Sequence, residues 1–515
     1  MDAQVEHAIQ AGKRALIAEN GNYWKNHQCE VSHPDRWLYI YHGLSSNFEY
    51  AVHEDIIALG VQEKERLPIA VVTYGHGDEQ LDDLDASFGL NEIRHLLYSK
   101  FKDAESEQKT LAEAKRLAAL VYGKKDEFLQ LTYRGIKCGD AVYDEILKKY
   151  AGEAFDCFDI SEEQFCKHIK NALSVIDKAY EMLRDKPPAY IVTSEPINTK
   201  GLFVSVAYSM GAKILIAAND SPDITMQVLP GRKLVLENMP SVCLRRKVEE
   251  YLKRETLRPL EHDDLFVYSG KRLEKDALLQ QLGIANGKKN VFILPHIIND
   301  SSRGVRHYCY YDYNEWFLDT LRIASEVPDV NWIVKDHPLS SIGKQEHYIK
   351  QMFEKYKTEN MFWCDRSIGG IWVKEIADCI VTCVGEAAME YWAYGIPTIT
   401  AADAYFSGWG ISYNMKSVEE YEETLSNVKN LEKPAEQSVQ HARKCLLALK
   451  QIATNSAQDE LTRVFLDARN MQIEGYKAGE RDLQLPMFCE QYVEFLKSNS
   501  VERGAMYQLR NVYDV

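Results

Sequence analysis

Twice along this chain, short apolar runs rich in β-branched and aromatic residues alternate with longer stretches of helical spacing. No other sequence feature limits the fold as strongly. The first series has WLYIYHGL at 37–44, PIAVVTYG at 68–75, PAYIVTSEP at 188–196 and KILIAAND at 213–220. AVHEDIIALGVQEK follows the first of these with helical spacing, and the charged region 90–183 reads as one long helical stretch. The second series has NVFILPHI at 290–297, VNWIVKDHP at 330–338, MFWCD at 361–365, DCIVTCVG at 378–385 and IPTITAAD at 396–403. The segments YNEWFLDTLRIASE, HYIKQMFEKYK, IWVKEIA and EAAMEYWAYG stand between them as helices. Strands alternating with helices predict parallel sheets covered on both faces. The expected fold class is therefore α/β, with two Rossmann-like domains followed by C-terminal helices.

Between the two series the chain changes character. SPD, LPG and NMPS precede a charged helix, LRRKVEEYLKRE, and this stretch is predicted to connect the domains. The expected division is an N-terminal domain over 1–255, a C-terminal domain over 256–455, and helices over 456–515 that pack back on the first domain. The most apolar run, LFVSVAYSMGAKILIAA at 202–218, is interrupted by Lys213. It is shorter than the ~20 residues a spanning helix needs, so it reads as a buried helix, Gly211 and a buried strand.

Charge and cysteine usage narrow the function. Against 61 Lys and Arg stand 77 Asp and Glu, a net charge of −16, which argues against a nucleic-acid binder and against a broadly basic membrane-binding face. Eleven cysteines with no CxxC pair predict reduced thiols in the cytoplasm. His27, Cys29 and His33 lie close together, but their spacing matches no zinc pattern and reads as a polar loop. The polar N-terminus lacks the apolar run of a secretory signal.

In parallel α/β sheets, ligands sit beyond the carboxyl ends of the strands. Three segments place chemistry there. In 381–412 a strand runs into Gly385 and a helix follows. The amides over 385–388, those of Glu386, Ala387 and Ala388 above all, would lie at that helix start, a natural seat for phosphate. Glu390, one turn further, could accept hydrogen bonds from ribose hydroxyls, and the bland reading is an ordinary βαβ unit punctuated by Gly and Pro. In NWIVKDHPLSS, Lys335 and His337 arrive at a strand end, where a cation and an imidazole could contact a phosphate. The bland reading there is a helix cap at Ser340 or Ser341. In 294–316, His296, Asp300, Arg303, Arg306 and His307 follow a strand, a polar and basic loop in an acidic chain.

IVKDHP, the Gly-turn-helix with Glu390, Gly395 and Pro397, and AYFSGWGIS together resemble bacterial capsule polysaccharide biosynthesis glycosyltransferases, the family that includes transferases of 3-deoxy-manno-octulosonic acid (Kdo). PHIIND and YDYNEW strengthen the likeness over about 290–412. YIYHGLSS, VVTYG and YIVTSEP carry a fainter one in the N-terminal half.

The resemblance implies the GT-B architecture, two Rossmann-like domains facing across a cleft with donor binding in the C-terminal domain. It implies a nucleotide-sugar donor, CMP- or UDP-linked, a glycan or lipid-linked glycan acceptor, and no metal or other cofactor. His337 falls on a motif that borders the donor phosphate. Gly385, Glu390, Gly395 and Pro397 fall on the nucleotide motif, and Ser407 falls on the closing loop. His296, Arg303, Arg306 and Lys335 complete the expected donor set. His42, at the end of the first strand with Ser45 and Ser46 nearby, is the candidate general base. Asp300 and Glu195 are the alternative carboxylates, so inverting and retaining routes both stay open. Glu386 departs from the pattern, because a carboxylate in the first turn competes with phosphate, by ~4 kcal/mol at ~4 Å and an effective dielectric of ~20. It either points away toward a cation such as Lys335 or Arg306, or the donor sits differently, or the site is degraded. The alternatives to a transferase are a UDP-sugar epimerase of the two-Rossmann type and a non-catalytic scaffold in polysaccharide assembly. A glycerophosphate or ribitol-phosphate polymerase is a further option. The expected location is cytoplasmic, at most peripheral to the inner face of the membrane through assembly partners.

Overall fold

The computed structural model describes residues 3–25, 28–43, 48–75, 79–96, 104–194, 196–216, 225–227, 248–249, 252–253, 274–285, 287–300, 306–307, 309–341, 343–404, 406–456 and 493. The chain divides into two compact units. The first comprises 1–142, 162–240 and 452–515, and the second comprises 143–161 and 241–451.

Six strands form the sheet of the first unit. They are β1 (Trp37–His42), β2 (Ile69–Thr73), β3 (Ile93–His95), β4 (Pro188–Thr193), β5 (Lys213–Ile216) and β6 (Thr225–Gln227). Their order is β3-β2-β1-β4-β5-β6. All neighbours are parallel except β5 and β6. Successive side chains of a strand point to opposite faces, and both faces here are buried, so β2 and β4 are buried at every residue. Leu38 and Ile40 join the core under the helix Phe48–Glu65. Tyr39 and Tyr41 face the other way and keep their hydroxyls bonded to the Lys186 and Lys200 carbonyls at 2.8 and 2.6 Å. That is how a phenol is tolerated in an interior strand.

The second unit repeats the pattern with β7 (Asn290–Leu294), β8 (Asn331–Lys335), β9 (Met361–Cys364), β10 (Cys379–Thr382), β11 (Thr398–Thr400) and β12 (Tyr413–Asn414). The order is β9-β8-β7-β10-β11-β12, and every neighbouring pair is parallel. Val291, Ile293, Trp332, Val334 and Val381 fill one core, and Phe292, Ile333 and Ile380 fill the core on the opposite face. Numbered from its own first strand, each sheet has the doubly wound order 3-2-1-4-5-6. Its switch point lies between strands one and four, β1/β4 in the first unit and β7/β10 in the second.

The expected α/β class with two Rossmann-like sheets is thus observed. The reading of 90–183 as a long helical region holds over most of its described length, as several helices, and is corrected at two places. Ile93–His95 is the edge strand β3, and a small antiparallel ladder joins Thr132–Tyr133 to Ile136–Lys137 among shorter helices. Three half-buried residues, Ile-Arg-His, carry too little apolar signal to read as a strand. The run 202–216 behaves as read: helix Leu202–Ser209, Gly211 at φ +92°, then β5. No helix among the described residues is long and apolar enough to cross a membrane.

Candidate functional site

The switch point of the second unit is built around His296, three residues beyond Ile293. Its Nε2 accepts the Val384 N–H at 3.1 Å and lies 3.1 Å from Thr382 Oγ1. The proton of a neutral ring held this way sits on Nδ1. The Thr382 hydroxyl donates to the Leu294 carbonyl at 3.2 Å, which ties the ends of β7 and β10 together. The ring stacks on Tyr313, with centroids 4.3 Å apart and planes 12° apart. Tyr313 is placed by its helix, Tyr313–Glu326, whose N-cap Asp312 accepts the Glu315 N–H at 2.7 Å while the Glu315 carboxylate accepts the Tyr311 N–H. This pair of bonds, in which Glu315 reaches the amide one residue before the cap, resembles a capping box and marks where the helix starts. Buried Asp312 also accepts the Tyr143 hydroxyl.

The turn after β10 is held from both sides. The Cys383 carbonyl accepts the Ala401 and Ala402 amides at 2.9 and 3.0 Å. A Cβ on Gly385 would lie 3.2 Å from Thr382 Oγ1, a tight contact that the hydroxyl would have to yield to, and 3.5 Å from His296 Cε1, an ordinary one. The Ala388 N–H is committed to the Gly385 carbonyl at 2.9 Å. A phosphate at this turn would therefore meet residues 385–387, short of the 385–388 span the sequence suggests. The following helix, Ala387–Trp392, is only six residues long. Glu386 stands before it as an exposed residue whose side chain makes no capping hydrogen bond. In solvent, like-charge repulsion at ~4 Å falls to ~1 kcal/mol, so Glu386 opposes a phosphate far less than a buried carboxylate would. Glu390 is buried at 8% exposure.

From β8 come Lys335, Asp336 and His337. Lys335 is 5% exposed, and burial lowers its pKa. His337 is pushed down to about 4 by burial, with Lys335 adding to the effect. Its Nδ1 accepts the Leu339 N–H at 3.1 Å, so the neutral ring carries its proton on Nε2 and acts as a donor without charge. Asp336 is raised by burial, although Ser340 donates to its Oδ2 at 2.9 Å. Ser340 therefore serves Asp336, and the following helix, Glu346–Tyr356, starts at Gln345.

Gln345 escaped the sequence reading. It is 1% exposed. Its Nε2 donates to the His296 carbonyl at 2.7 Å and its Oε1 accepts the Ile298 N–H at 2.6 Å. Asn299 adds a bond to the Gly343 carbonyl at 3.0 Å. The loop that carries His296 is thereby stapled to the loop after β8. A glutamine in a polar loop leaves no signal in sequence that it is buried.

The remaining expected residues fall elsewhere. Asp300 is an exposed residue on the turn after β7, its N–H bonded to the Ile297 carbonyl. Ser407 accepts the Ala404 N–H at 2.9 Å, closing a turn that leads to Gly408 and Gly410 at φ +87° and +71°. Arg306 belongs to a two-residue strand paired with Asp403, and its side chain lies outside the described residues, as do Arg303, Glu195, Ser45 and Ser46. A cavity of about 390 Å³ lined by Lys374, Asp378, Tyr394 and Lys433 opens at the other, amino-terminal ends of β10 and β11.

His42 lies at the corresponding switch point of the first unit and is 1% exposed. Its Nδ1 is 2.5 Å from Glu54 Oε2, and its Nε2 is 3.1 Å from Asp85 and 3.4 Å from Asp55. Burial pushes the imidazole pKa down, but Asp85, Asp55 and Glu54 outweigh it and hold the ring well above its ordinary value. Both ring nitrogens thus face carboxylates, and neither is presented to a substrate hydroxyl in this arrangement.

The fold and this site define an α/β protein with two Rossmann-ordered sheets and a polar, anion-compatible turn at the second switch point. Residues 234–455 match the family described as capsule polysaccharide biosynthesis protein, which encloses the segment 290–412 where the resemblance was read. No protein with a curated description matches the chain significantly. Among solved structures the chain is similar to a β-Kdo 2,4-transferase, KpsC, of Thermosulfurimonas dismutans (14% identity, 51% of this chain and 80% of that one, TM-score 0.28). It is also similar to a glycosyltransferase of Rickettsia africae (11% identity, 91% and 100%, TM-score 0.28). A third likeness is to the UDP-GlcNAc 2-epimerase of Neisseria meningitidis bound to UDP-GlcNAc (11% identity, 82% and 99%, TM-score 0.22).

Proposed function

We propose that this protein is a glycosyltransferase that moves a sugar from a nucleotide-activated donor to a capsule or related surface polysaccharide. The family match over 234–455 supports the class. The observation that carries the site is the switch point between β7 and β10, where His296 holds the Gly385 turn by its Val384 amide. In this reading the donor phosphate rests at residues 385–387. Lys335 supplies the positive charge, and an approaching anion would favour that charge against the burial that lowers its pKa. Neutral His337 donates from Nε2. His296, Thr382 and Gln345 are positioning residues that keep the turn in place before the donor arrives. Helix-start amides and a lysine stabilise the departing phosphate in this scheme, and no metal takes part in the donor site. With His42 enclosed by carboxylates, Asp300 and Glu195 are the residues proposed to accept the proton from the acceptor hydroxyl.

The test is thermal unfolding with CMP, UDP, GDP and ADP and their common sugars, with and without EDTA, followed by product analysis. One nucleotide is expected to raise the unfolding temperature regardless of EDTA, and Lys335→Met is expected to shrink that shift at the same nucleotide concentration. Transfer of the sugar to a glycan supports the transferase. Conversion of the free nucleotide sugar to its epimer, with no acceptor, replaces it by the epimerase. No shift with any nucleotide rejects the donor site and leaves a scaffold role.

A further inference from the structure

Four ionisable side chains meet inside the first unit at the switch point of its sheet. His42 ends β1, Glu54 and Asp55 lie on the helix Phe48–Glu65, and Asp85 lies on the helix Glu79–Ser87. His42 is 1% exposed, Glu54 2%, and Asp55 and Asp85 0%. Glu54 bridges the His42 Nδ1 and the Ser194 N–H, each at 2.5 Å. That bridge fixes a proton on Nδ1 and turns Nε2 toward Asp55 and Asp85, where it either carries a second proton, as the raised imidazole pKa favours, or coordinates a cation. Among the described residues, neither oxygen of Asp55 and not Oδ2 of Asp85 has a hydrogen-bond partner. Leaving a buried carboxylate unpaired is costly. A single imidazolium charge leaves three carboxylates incompletely balanced, which a cation between Nε2 and the two aspartates would relieve.

We propose that His42, Asp55 and Asp85 form a binding site for one divalent transition-metal ion of the zinc type, with Glu54 orienting the imidazole. One nitrogen and two carboxylate oxygens, all within 4.8 Å of one another, converge on one point. The Nε2–Oδ1 separations, 3.1 Å to Asp85 and 3.4 Å to Asp55, suit ligands of a common ion. Ligands about 2.1 Å from zinc stand roughly 3.0–3.4 Å apart in octahedral or tetrahedral arrangement. The 3.4 Å contact is long for a hydrogen bond but ordinary for such an edge. The carboxylate–histidine–metal relay supplied by Glu54 is the usual second shell of such sites, and it fixes both tautomer and ring orientation. A dipositive ion also offsets the charge of the three carboxylates gathered there. The site would join β1, the helix Phe48–Glu65 and the helix Glu79–Ser87 at one point, with Glu54 extending the linkage to the chain after β4, so its role is to hold the switch point together. This inference does not depend on the transferase reading, since it concerns the other sheet.

The experiment is metal analysis by mass spectrometry of the full chain, produced in zinc-supplemented medium and purified without chelators. Wild type is compared with Asp55→Asn, Asp85→Asn and Glu54→Gln, with circular dichroism reporting folding. About one zinc per chain is expected in wild type, with loss in both asparagine variants. Glu54→Gln is expected to bind roughly 10–100-fold more weakly. Wild type without zinc overturns the proposal and leaves a cluster balanced by protons alone. Zinc retained by folded Asp55→Asn and Asp85→Asn overturns it too, because the ion then sits elsewhere. If those variants do not fold, cobalt-loaded wild type decides. Visible d–d bands without a thiolate charge-transfer band support nitrogen and oxygen ligands, and a thiolate band or no bands overturn them.

Discussion

At the scale of single residues, the second switch point shows how burial changes what a side chain can contribute. His337 looks like a cation in sequence, yet with its pKa near 4 it is neutral at working pH. Its folded pKa is below the unfolded value of 6.5, so the unfolded chain binds the extra proton between those values. Its contribution to stability is therefore full above pH 6.5 and falls as pH drops toward 4, by at most about 3 kcal/mol. Urea unfolding at pH 7 and pH 4.5 should show a smaller pH-dependent loss for His337→Gln than for wild type, and an identical loss would remove this account. Lys335 is the charge that remains. Lys335→Met is expected to weaken nucleotide binding about ten- to hundred-fold, the worth of a charged hydrogen bond. Its urea midpoint should stay unchanged or rise, because a buried amine is desolvated at a cost. Equal nucleotide affinity in titration calorimetry would exclude Lys335 from the site. His296, Lys335, His337 and Gly385 were legible in sequence because each follows an apolar run that ends abruptly. Gln345, Asp55 and Asp85 were not, since their partners are distant in the chain and a polar residue carries no local mark of burial.

Elements decide how well those residues are held. The loop after β7 and the loop after β8 are independent in sequence, and the Gln345 side chain joins them. Gln345→Ala removes two buried hydrogen bonds and leaves the His296 carbonyl and the Ile298 N–H unpaired, so a loss of about 2–4 kcal/mol is expected in chemical denaturation. Gln345→Glu keeps only the acceptor half and should fall between the two. A loss below about 0.5 kcal/mol for the alanine variant would mean that water replaces the amide. Gly385→Val is expected to damage nucleotide binding more than stability, since its side chain would press on Thr382 and His296 at the turn itself. Strand and helix types were legible wherever apolar runs exceeded four residues. Two of the edge strands, Ile93–His95 and Tyr413–Asn414, were not, because these are only three and two residues long and half-buried.

On the scale of the whole molecule, each sheet has its own hydrophobic cores. Unfolding of a chain this long is not expected to be two-state. A nucleotide that binds the second switch point should stabilise one calorimetric transition, by about 2.7 kcal/mol at 100 times its dissociation constant. Hydrogen exchange should then slow around 290–300 and 382–390. Protection confined to the first unit would place the nucleotide on the other sheet and overturn the donor-site assignment.

The sequence by itself determined the α/β class, the two strand series and the strand ends that carry chemistry, because hydrophobic periodicity is a local property. It also carried the family likeness, since motif order over 290–412 is linear information. Only the tertiary structure decided the strand order, and with it which two loops become neighbours at each switch point. It alone revealed that Glu54, Asp55 and Asp85, ordinary helix charges in the text of the chain, are buried around His42. It alone showed that His337 is neutral. Pairing, burial and desolvation depend on what packs against a residue from far along the chain, and no local pattern encodes that.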